Sequence, residues 1–439
     1  VATGAIDEVI QVGDRGYFVI GWCITADAAR TRLLLSTGTG EGHDLLAGAY
    51  RVARPDLLEA IGPAIRAQSA QAGFLRYIED DAIQQPGELA ASLELAGTLI
   101  GRLAVPLVQR FDDPIETTES LLKHLHPGSE AMLALLDQQL GPALSQVPFR
   151  CSHQTEAELI RFFDGPAEPW VSLIVPIYGR YDFIEYQLSQ FANDPDFRQG
   201  IELLYVLDDP ALADGFTAYC AEVAPLYEVP FATVLSKAHL GFAGANNLGA
   251  RFARGERLLL LNSDVIPSQG GWLSALRERF DLLPEIGALG VRLLYPDEAL
   301  QHDGMAFKRL PALGNLWIND HPGKGLPAMP VAAEGALVEV QASTAACLML
   351  RKADFLAVGG FDEGYIIGDF EDSDLCLALQ ERGLRTYVAR DLVLYHLERQ
   401  SQRLFADPGW REKITVYNCW RHSRKWQAQI ERISAGALH

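Results

Sequence analysis

The chain has 439 residues, 49% of them apolar and 21% charged, a soluble globular balance with room for two or three domains. Its 37 basic and 57 acidic side chains leave a formal charge of −20, which argues against general nucleic-acid binding, because that needs basic surface to displace counterions. No apolar run reaches the roughly 18–20 residues of a membrane span. The opening VATGAIDEV lacks the charged-then-apolar pattern of a signal peptide and an initiator Met. The expectation is a trimmed chain in the cytoplasm, at most at the inner face of the plasma membrane. Six cysteines are scattered singly with no CxxC pair, so free thiols are expected rather than a zinc ribbon or a redox motif.

In chain order, residues 1–110 read as β-rich. GYFVIGWCITA (16–26) and TRLLLSTG (31–38) are strand-like runs between turn residues, and SLELAGTLIGRLAVPLV (92–108) continues them around two glycines. A small sandwich is expected, with a helix over 55–71. Residues 111–165 change to helical spacing, with acidic residues near the helix starts and a Pro-Gly break between them, and read as a helical connector.

From 171 the texture changes again. VSLIVPIY (171–178), IELLYVLDDP (201–210) and ERLLLLNSDVIP (256–267) are short apolar runs, as expected of strands covered on both faces. Helical segments over 180–193, 211–223 and 244–254 alternate with them, which predicts a parallel sheet. Ligands of such sheets bind at the carboxyl ends of the strands. Three of these strands carry polar residues there: Tyr178 and Arg180, Asp208 and Asp209, and Asp264.

Each element has a functional and a local reading. A carboxylate of Asp208-Asp209 can accept from a nucleobase N–H, or form an Asx turn or helix cap. HLGFAGANNLGARFA (239–253) is a glycine-rich helix entry that lets backbone approach a diphosphate, with Asn246 and Asn247 equally suited to local capping. Asp264 can offer oxygen to a hard divalent cation or end a strand in a turn. In GGFDEGYIIGDFEDSDLCLALQERG (359–383) the carboxylates Asp362, Glu363, Asp369, Glu371 and Asp372 precede Asp374 and an amphipathic helix, more than the macrodipole asks for. One of them can serve as a general base. TYVARDLVLYHLERQS (386–401) is a strand ending on His396, placed to complete a metal site with Asp264. The tail YNCWRHSRKWQAQIERI (417–433) reads as a basic aromatic helix, docked on the main domain or touching an anionic membrane.

VSLIVPIYGR, LDDP, GFAGANNLGA, LLLLNSDV, LYPDEALQHDG, GGFDE…FEDSDLCLAL and YHLERQS, in this order over roughly 170–401, resemble the inverting family-2 glycosyltransferases of GT-A fold. They look like bacterial rhamnosyl- and galactofuranosyl-type enzymes of surface polysaccharide assembly. The resemblance implies an α/β, Rossmann-like nucleotide-sugar domain over 166–405, preceded by the β-rich sandwich-like domain (1–110) and the connector (111–165), and followed by a C-terminal helix (406–439). It implies that Pro176, Tyr178, Arg180, Asp208, Asp209, Gly241, Asn246, Asn247 and Ser263 line the donor site, with Asp209 reading the base. Asp264 and His396 would hold Mn²⁺ or Mg²⁺ on the donor diphosphate. Asp372 would be the general base, with Glu371 or Asp374 shaping its field or holding the acceptor, and Trp317, His302 and Asp303 lining the acceptor side. Asn262 stands where the family's DxD has its first Asp, and YIIGDFED is one residue longer than the common spacing, which leaves Asp369 as an alternative to Asp372.

The implied partners are a UDP-, dTDP- or GDP-linked sugar and a glycan or lipid-linked acceptor, with a homodimer and peripheral membrane contact as further expectations. Two other classes compete. A sugar-phosphate nucleotidyltransferase would need a basic glycine-rich loop after its first strand, which PIYGRYDF does not supply. A non-catalytic carbohydrate-binding protein suits residues 1–110 better than the whole chain.

Overall fold

The computed structural model describes residues 2–37, 42–62, 69–79, 89–198, 200–331, 335–397 and 408–436. It divides into two compact units. The first is Val1–Phe149 with Ala312–Gly314 and Gly409–Trp420; the second is Arg150–Pro311, Asn315–Pro408 and Arg421–His439.

The first unit holds two four-stranded antiparallel sheets. One orders β1 (Ala2–Val12), β2 (Gly16–Thr25), β6 (Gly73–Glu79) and β5 (Tyr50–Val52); the other orders β4 (His43–Asp44), β3 (Thr31–Thr37), β7 (Leu89–Leu95) and β8 (Thr98–Leu103). Their alternating apolar residues, among them Val9, Val19, Leu33, Leu35, Phe74 and Leu93, share one buried cluster. Ala96 and Gly97 both have positive φ, which gives β7 and β8 the two-residue turn that matches strand twist. Helices follow at Pro114–Leu122, Met132–Leu135 and Gly141–Leu144. Of the helix expected over 55–71, Asp56–Ile61 is helical, and 63–68 lie outside the described residues.

The second unit is built on one large sheet. Its order is β14 (Val265–Pro267), β21 (Arg385–His396), β15 (Ile286–Leu294), β20 (Cys347–Arg351), β13 (Arg257–Leu261), β10 (Val171–Ile177), β11 (Ile201–Leu207), β12 (Phe231–Ser236) and β9 (Ala157–Phe162). Off this path, β16 (Leu300–His302) pairs with β15 and β19 (Leu337–Val340) with β21. The sheet is mixed rather than parallel. β13, β10, β11 and β12 run parallel, whereas β9 and β20 join antiparallel, one at each side. β9 lies in the stretch expected to be helical; as an edge strand it is only half-buried, so its sequence carries little apolar signal.

The parallel strands are apolar throughout because both faces are covered. Leu259 and Leu261 enter one core with Ile184, Leu188, Phe216 and Trp272; Leu258 and Leu260 enter the other with Ala245, Leu248, Phe355 and Leu375. All four leucines are fully buried, at about 1.5–3 kcal/mol each relative to exposure. Helices Phe183–Asn193, Ala213–Tyr227 and Trp272–Phe280 cover the first face, and Gly241–Phe252 and Glu371–Glu381 the second. Pro176 is tolerated in β10 because pairing with β13 stops at Ile174↔Leu260.

All six cysteines are free. Among the described residues no helix is long and apolar enough to cross a membrane.

The helix Gly241–Phe252 begins three residues before the expected start and lies close on the sheet at Gly249. A Cβ there would meet Ile174 Cγ2 at 2.4 Å and Val206 Cγ2 at 2.9 Å. Gly249→Val should therefore lower the unfolding midpoint in denaturant titration, by about 1–3 kcal/mol of overpacking. A midpoint at or above the parent's would show that this contact is not tight.

Candidate functional site

β13 ends at Leu261 and the chain turns through Asn262, Ser263 and Asp264 before starting β14. The turn is pinned by backbone and by one buried amide. Asn262 N–H donates to Ala346 O (2.9 Å), Val265 N–H to Asn262 O (3.1 Å), and Gln187 Nε2 to both Asn262 O (2.9 Å) and Val265 O (3.0 Å). β14 then pairs antiparallel with β21 so that Val265 faces His396. This register sets Asp264 Oδ1 3.2 Å from His396 Nε2, both residues 8% exposed.

The opposite ring nitrogen, Nδ1, lies 2.9 Å from Gln301 Oε1. An amide oxygen there calls for Nδ1–H, and in the neutral ring Nε2 then carries a lone pair aimed at a carboxylate oxygen. At this distance the pair is joined either by a ring N–H donating to the carboxylate or by a cation shared between Oδ1 and Nε2. A hard divalent ion fits the pair, with Gln301 orienting the imidazole as outer-shell partners do. Asn262 Oδ1 is a buried oxygen with no protein partner in the same turn. Among the described residues no group of three or more His, Cys, Asp or Glu could hold a metal. Ser263 sits half-buried between Asn262 and Asp264.

At the ends of β10 and β11 a second cluster forms. Asp208 is 2% exposed; its carboxylate accepts from Leu240 N–H at 2.7 Å and meets His239 Nδ1 at 2.9 Å. Burial pushes the Asp208 carboxyl up. Burial also pulls the His239 ring down, but the hydrogen bond and charge of Asp208 outweigh it and raise that ring's pKa. Tyr178 stacks on His239, with centroids 4.3 Å apart. Asp209 takes the capping option, accepting from Ala211 N–H at 3.2 Å. Arg180 pairs with Asp182, Nε to Oδ1 at 2.8 Å, and Asp264 is among the charges acting on it. The sequence reading missed His239, although an aromatic, titratable residue before a glycine-rich helix was a usable signal.

Gly241 has φ +72, and the next residue, Phe242, donates its N–H to Ile367 O at 2.9 Å. The two asparagines expected at the donor are committed to the protein itself. Asn246 donates to Phe242 O one turn back (2.9 Å). Asn247 holds the 360–363 loop: it donates to Phe361 O (2.9 Å) and Glu363 Oε1 (2.7 Å) and accepts from Phe361 N–H (2.9 Å).

The acidic approach ends in unusual backbone. Ile367, Asp369 and Phe370 all have positive φ, rare for side chains of this kind. Glu371 and Asp372 follow in the first turn of their helix. Glu371 is 6% exposed, and burial, with the charges of Asp372 and Asp369, pushes it well above the carboxylate range; its Oε2 has no protein partner. Burial also pushes Asp372 up to about 6, against hydrogen bonds from Ser373 N–H and the Thr344 side chain. Thr344 N–H lies 3.4 Å from His302 Nε2, which also meets Ser343 Oγ at 3.1 Å, while His302 Nδ1 meets His321 Nδ1 at 3.1 Å. His302 and Gln301 are neighbours on β16. Strand β16 thus carries Gln301, which meets His396, next to His302, which meets Ser343 and Thr344, and the Thr344 side chain meets Asp372.

Three residues expected at the acceptor are engaged elsewhere. Asp303 binds Arg292 Nη2 (2.8 Å) and Arg390 Nε (3.1 Å), a buried clamp between β15 and β21. Trp317 packs with Met305, Phe307, Cys376 and Trp426, and its backbone exchanges hydrogen bonds with Ser423 Oγ. Asp374 accepts from Tyr365 OH (2.8 Å), Lys425 Nζ (2.9 Å) and Trp426 Nε1 (2.5 Å). His302 alone of the four borders the site.

Comparison with known proteins gives a family model, Glycosyl transferase family 2, matching residues 172–308. O-antigen biosynthesis protein RfbC of Myxococcus xanthus is 29% identical over 249 residues, which cover 55% of this chain and 18% of that protein. Rhamnosyltransferase WbbL of Escherichia coli is 24% identical over 208 residues, 44% of this chain and 76% of that one. A solved mannosyltransferase from Pyrobaculum calidifontis, in complex with GDP-Man and Mn²⁺, aligns at 16% identity and TM-score 0.38, covering 74% of this chain and 86% of that one. The chain thus spans less than a fifth of RfbC, at 18%. Residues 172–308, which carry β10, the stacked pair Tyr178–His239 and Asp264, match the glycosyl transferase family 2 model, and the likeness to that family is shown for this stretch of the chain.

Proposed function

We propose that the chain is a metal-dependent inverting glycosyltransferase of GT-A type, moving a hexose or deoxyhexose from a nucleoside diphosphate to a hydroxyl of a glycan or lipid-linked acceptor in surface polysaccharide synthesis. The observation that carries this reading is the Asp264–His396 pair at 3.2 Å, with β16 linking its partner Gln301 to the His302–Thr344 contacts beside Asp372. In this reading the pair is the cation site and Asp372, pushed up to about 6 by burial, is the base, while Asp264 lies in the stretch that matches the family 2 model. The names of the relatives, O-antigen synthesis and rhamnosyl transfer, support the choice of sugar class and pathway type.

In this reading the nucleobase lies by the Tyr178–His239 stack, with Asp208 fixing the ring of His239 and Asp209 at the rim. Arg180 lies toward the diphosphate, past Pro176 and the Gly241 helix entry. Asp264 and His396 would hold Mn²⁺ or Mg²⁺, which when bound neutralises charge on the leaving diphosphate. Asp372 takes the proton from the attacking hydroxyl. That oxygen forms its bond to the anomeric carbon as the bond to the diphosphate breaks on the opposite face, so configuration inverts in one displacement. Burial pushes the Glu371 carboxyl up, which disfavours a further negative charge at the site.

Asp372→Asn should cut turnover by about 10²–10⁴ while the nucleotide still shifts the melting temperature with Mn²⁺ present. Parent-like turnover in that variant removes Asp372 as the base. Asp264→Ala and His396→Ala should each weaken Mn²⁺-dependent nucleotide binding in calorimetry, and chelation should abolish transfer; activity that survives EDTA contradicts the metal reading.

The pH dependence follows from the sign of the shift. A base must be ionised, so kcat/KM should fall as pH drops through about 6, the value to which burial raises Asp372. Thr344→Val removes a hydrogen bond that favours the ionised form, and should move this acid limb to higher pH. An unmoved limb would show that Thr344 does not tune the carboxyl.

A further inference from the structure

The helix that carries Asp372 has no cap of its own. Phe370 stands at its N-cap in a left-handed conformation and offers no side-chain hydrogen bond, and the three positive-φ residues lie immediately before it. Something else must fix where its first turn sits. The groups that do so come from the second half of the C-terminal helix, Pro408–Gly436.

Both residues that follow Asp372 are held there. Ser373 Oγ meets His422 Nε2 at 3.0 Å, and Asp374 accepts from Lys425 Nζ (2.9 Å) and Trp426 Nε1 (2.5 Å). Upstream of the strained segment, Asp362 is gripped by Arg421 Nη2 (3.0 and 3.1 Å) and by Lys425 Nζ (3.0 Å). Further along, Gln429 Nε2 donates to Leu377 O at 2.9 Å. Trp426 and Ile430 pack on Cys376 and Leu377. Lys425 therefore bridges two carboxylates on either side of residues 367–370. Two cations of a tail that reads from sequence as docked on the main domain or touching an anionic membrane are engaged by carboxylates of the chain itself.

We propose that His422, Lys425 and Trp426 are positioning residues for Asp372, so that the C-terminal helix sets the catalytic geometry and is not merely a cover for apolar surface. This rests on the reading of Asp372 as the base. None of the three touches Asp372; they act through Ser373 and Asp374. A small displacement of a general base from its line of attack costs far more in turnover than in donor binding.

The test compares Trp426→Phe, which keeps a ring but drops the indole N–H, Lys425→Met, and the charge-keeping Lys425→Arg, with Gln427→Ala as a control on the same helix. Initial rates are measured with a nucleotide sugar the parent turns over, and hydrogen exchange is followed over 366–375. Trp426→Phe and Lys425→Met should lose roughly 10- to 100-fold in kcat, keep donor KM within about two-fold, and exchange faster over 366–375. Lys425→Arg should recover most of the loss and Gln427→Ala should match the parent. The proposal is overturned if Trp426→Phe and Lys425→Met keep parent kcat, or lose melting temperature alone, or exchange at the parent rate. Should Lys425→Met not fold, Trp426→Phe alone decides. Asp372→Asn run alongside separates the two readings: parent-like turnover there removes the base assignment, whereas parent-like turnover in the helix variants removes only the positioning role.

Discussion

The site depends on one register, Val265 opposite His396 across β14 and β21. A strand's side chains alternate faces, so a slip of one residue would turn His396 away from Asp264 and drive a polar residue into the core. The register is held from both ends. Val265 and Leu394 are fully buried, and Gln187 fixes the turn that enters β14 by donating to two of its carbonyls. A three-residue strand could not specify this pairing alone. It does so because β21 is long and already locked in parallel to β15 over most of its length.

Burial also separates these carboxyls from ordinary surface carboxylates. Asp208 and Glu371 are pushed up by desolvation, and Asp372 is pushed up to about 6. An anionic diphosphate brought beside ionised carboxylates would meet repulsion of about 4 kcal/mol per unit pair at 4 Å and an effective dielectric near 20. Burial of Glu371 disfavours its ionised form and so weakens one such term. A protein with formal charge −20 can thus present a site much less acidic than its sequence. The same desolvation keeps Asp372 a stronger base than a surface aspartate while leaving it mostly ionised near neutrality.

The apolar parallel strands and the helices between them were legible because both-face burial forces unbroken runs such as LLLL. Asp264 and His396 were legible by order along the chain, being polar residues at strand ends. Gln187, Gln301 and Thr344 were not: each is a lone polar residue whose meaning lies in a partner dozens of residues away. Three of the four acceptor candidates have protein partners that sequence order does not show. Asp374 was read with Asp372 because they are close in sequence, but residues two apart on a helix point about 200° apart. Asp372 and Asp374 must therefore face different neighbours, and Asp374 faces the C-terminal helix. Asp303 and Trp317 were chosen by residue type, and sequence does not reveal that two arginines and a serine had already claimed them. The antiparallel flanks β9 and β20 also escaped, since direction leaves no mark in an apolar run.

The backbone before Asp372 shows why the C-terminal helix matters to stability as well as position. Three non-glycine residues with positive φ cost about 1–3 kcal/mol each, and an uncapped helix start adds about 1 kcal/mol more. Left to itself, this segment would relax. It persists because it is tied on each side: Ile367 O accepts from Phe242 N–H at 2.9 Å, Asn247 and Glu363 anchor the chain before it, and the Asp362–Lys425–Asp374 bridge spans it. Lys425 is shared by half-buried Asp362 and buried Asp374, so these two ties are not independent of each other. The strain is therefore carried by packing and ion pairs outside the segment, and the carboxyl at its end inherits a fixed place from structure laid down some fifty residues later in the chain, at Arg421, Lys425 and Trp426.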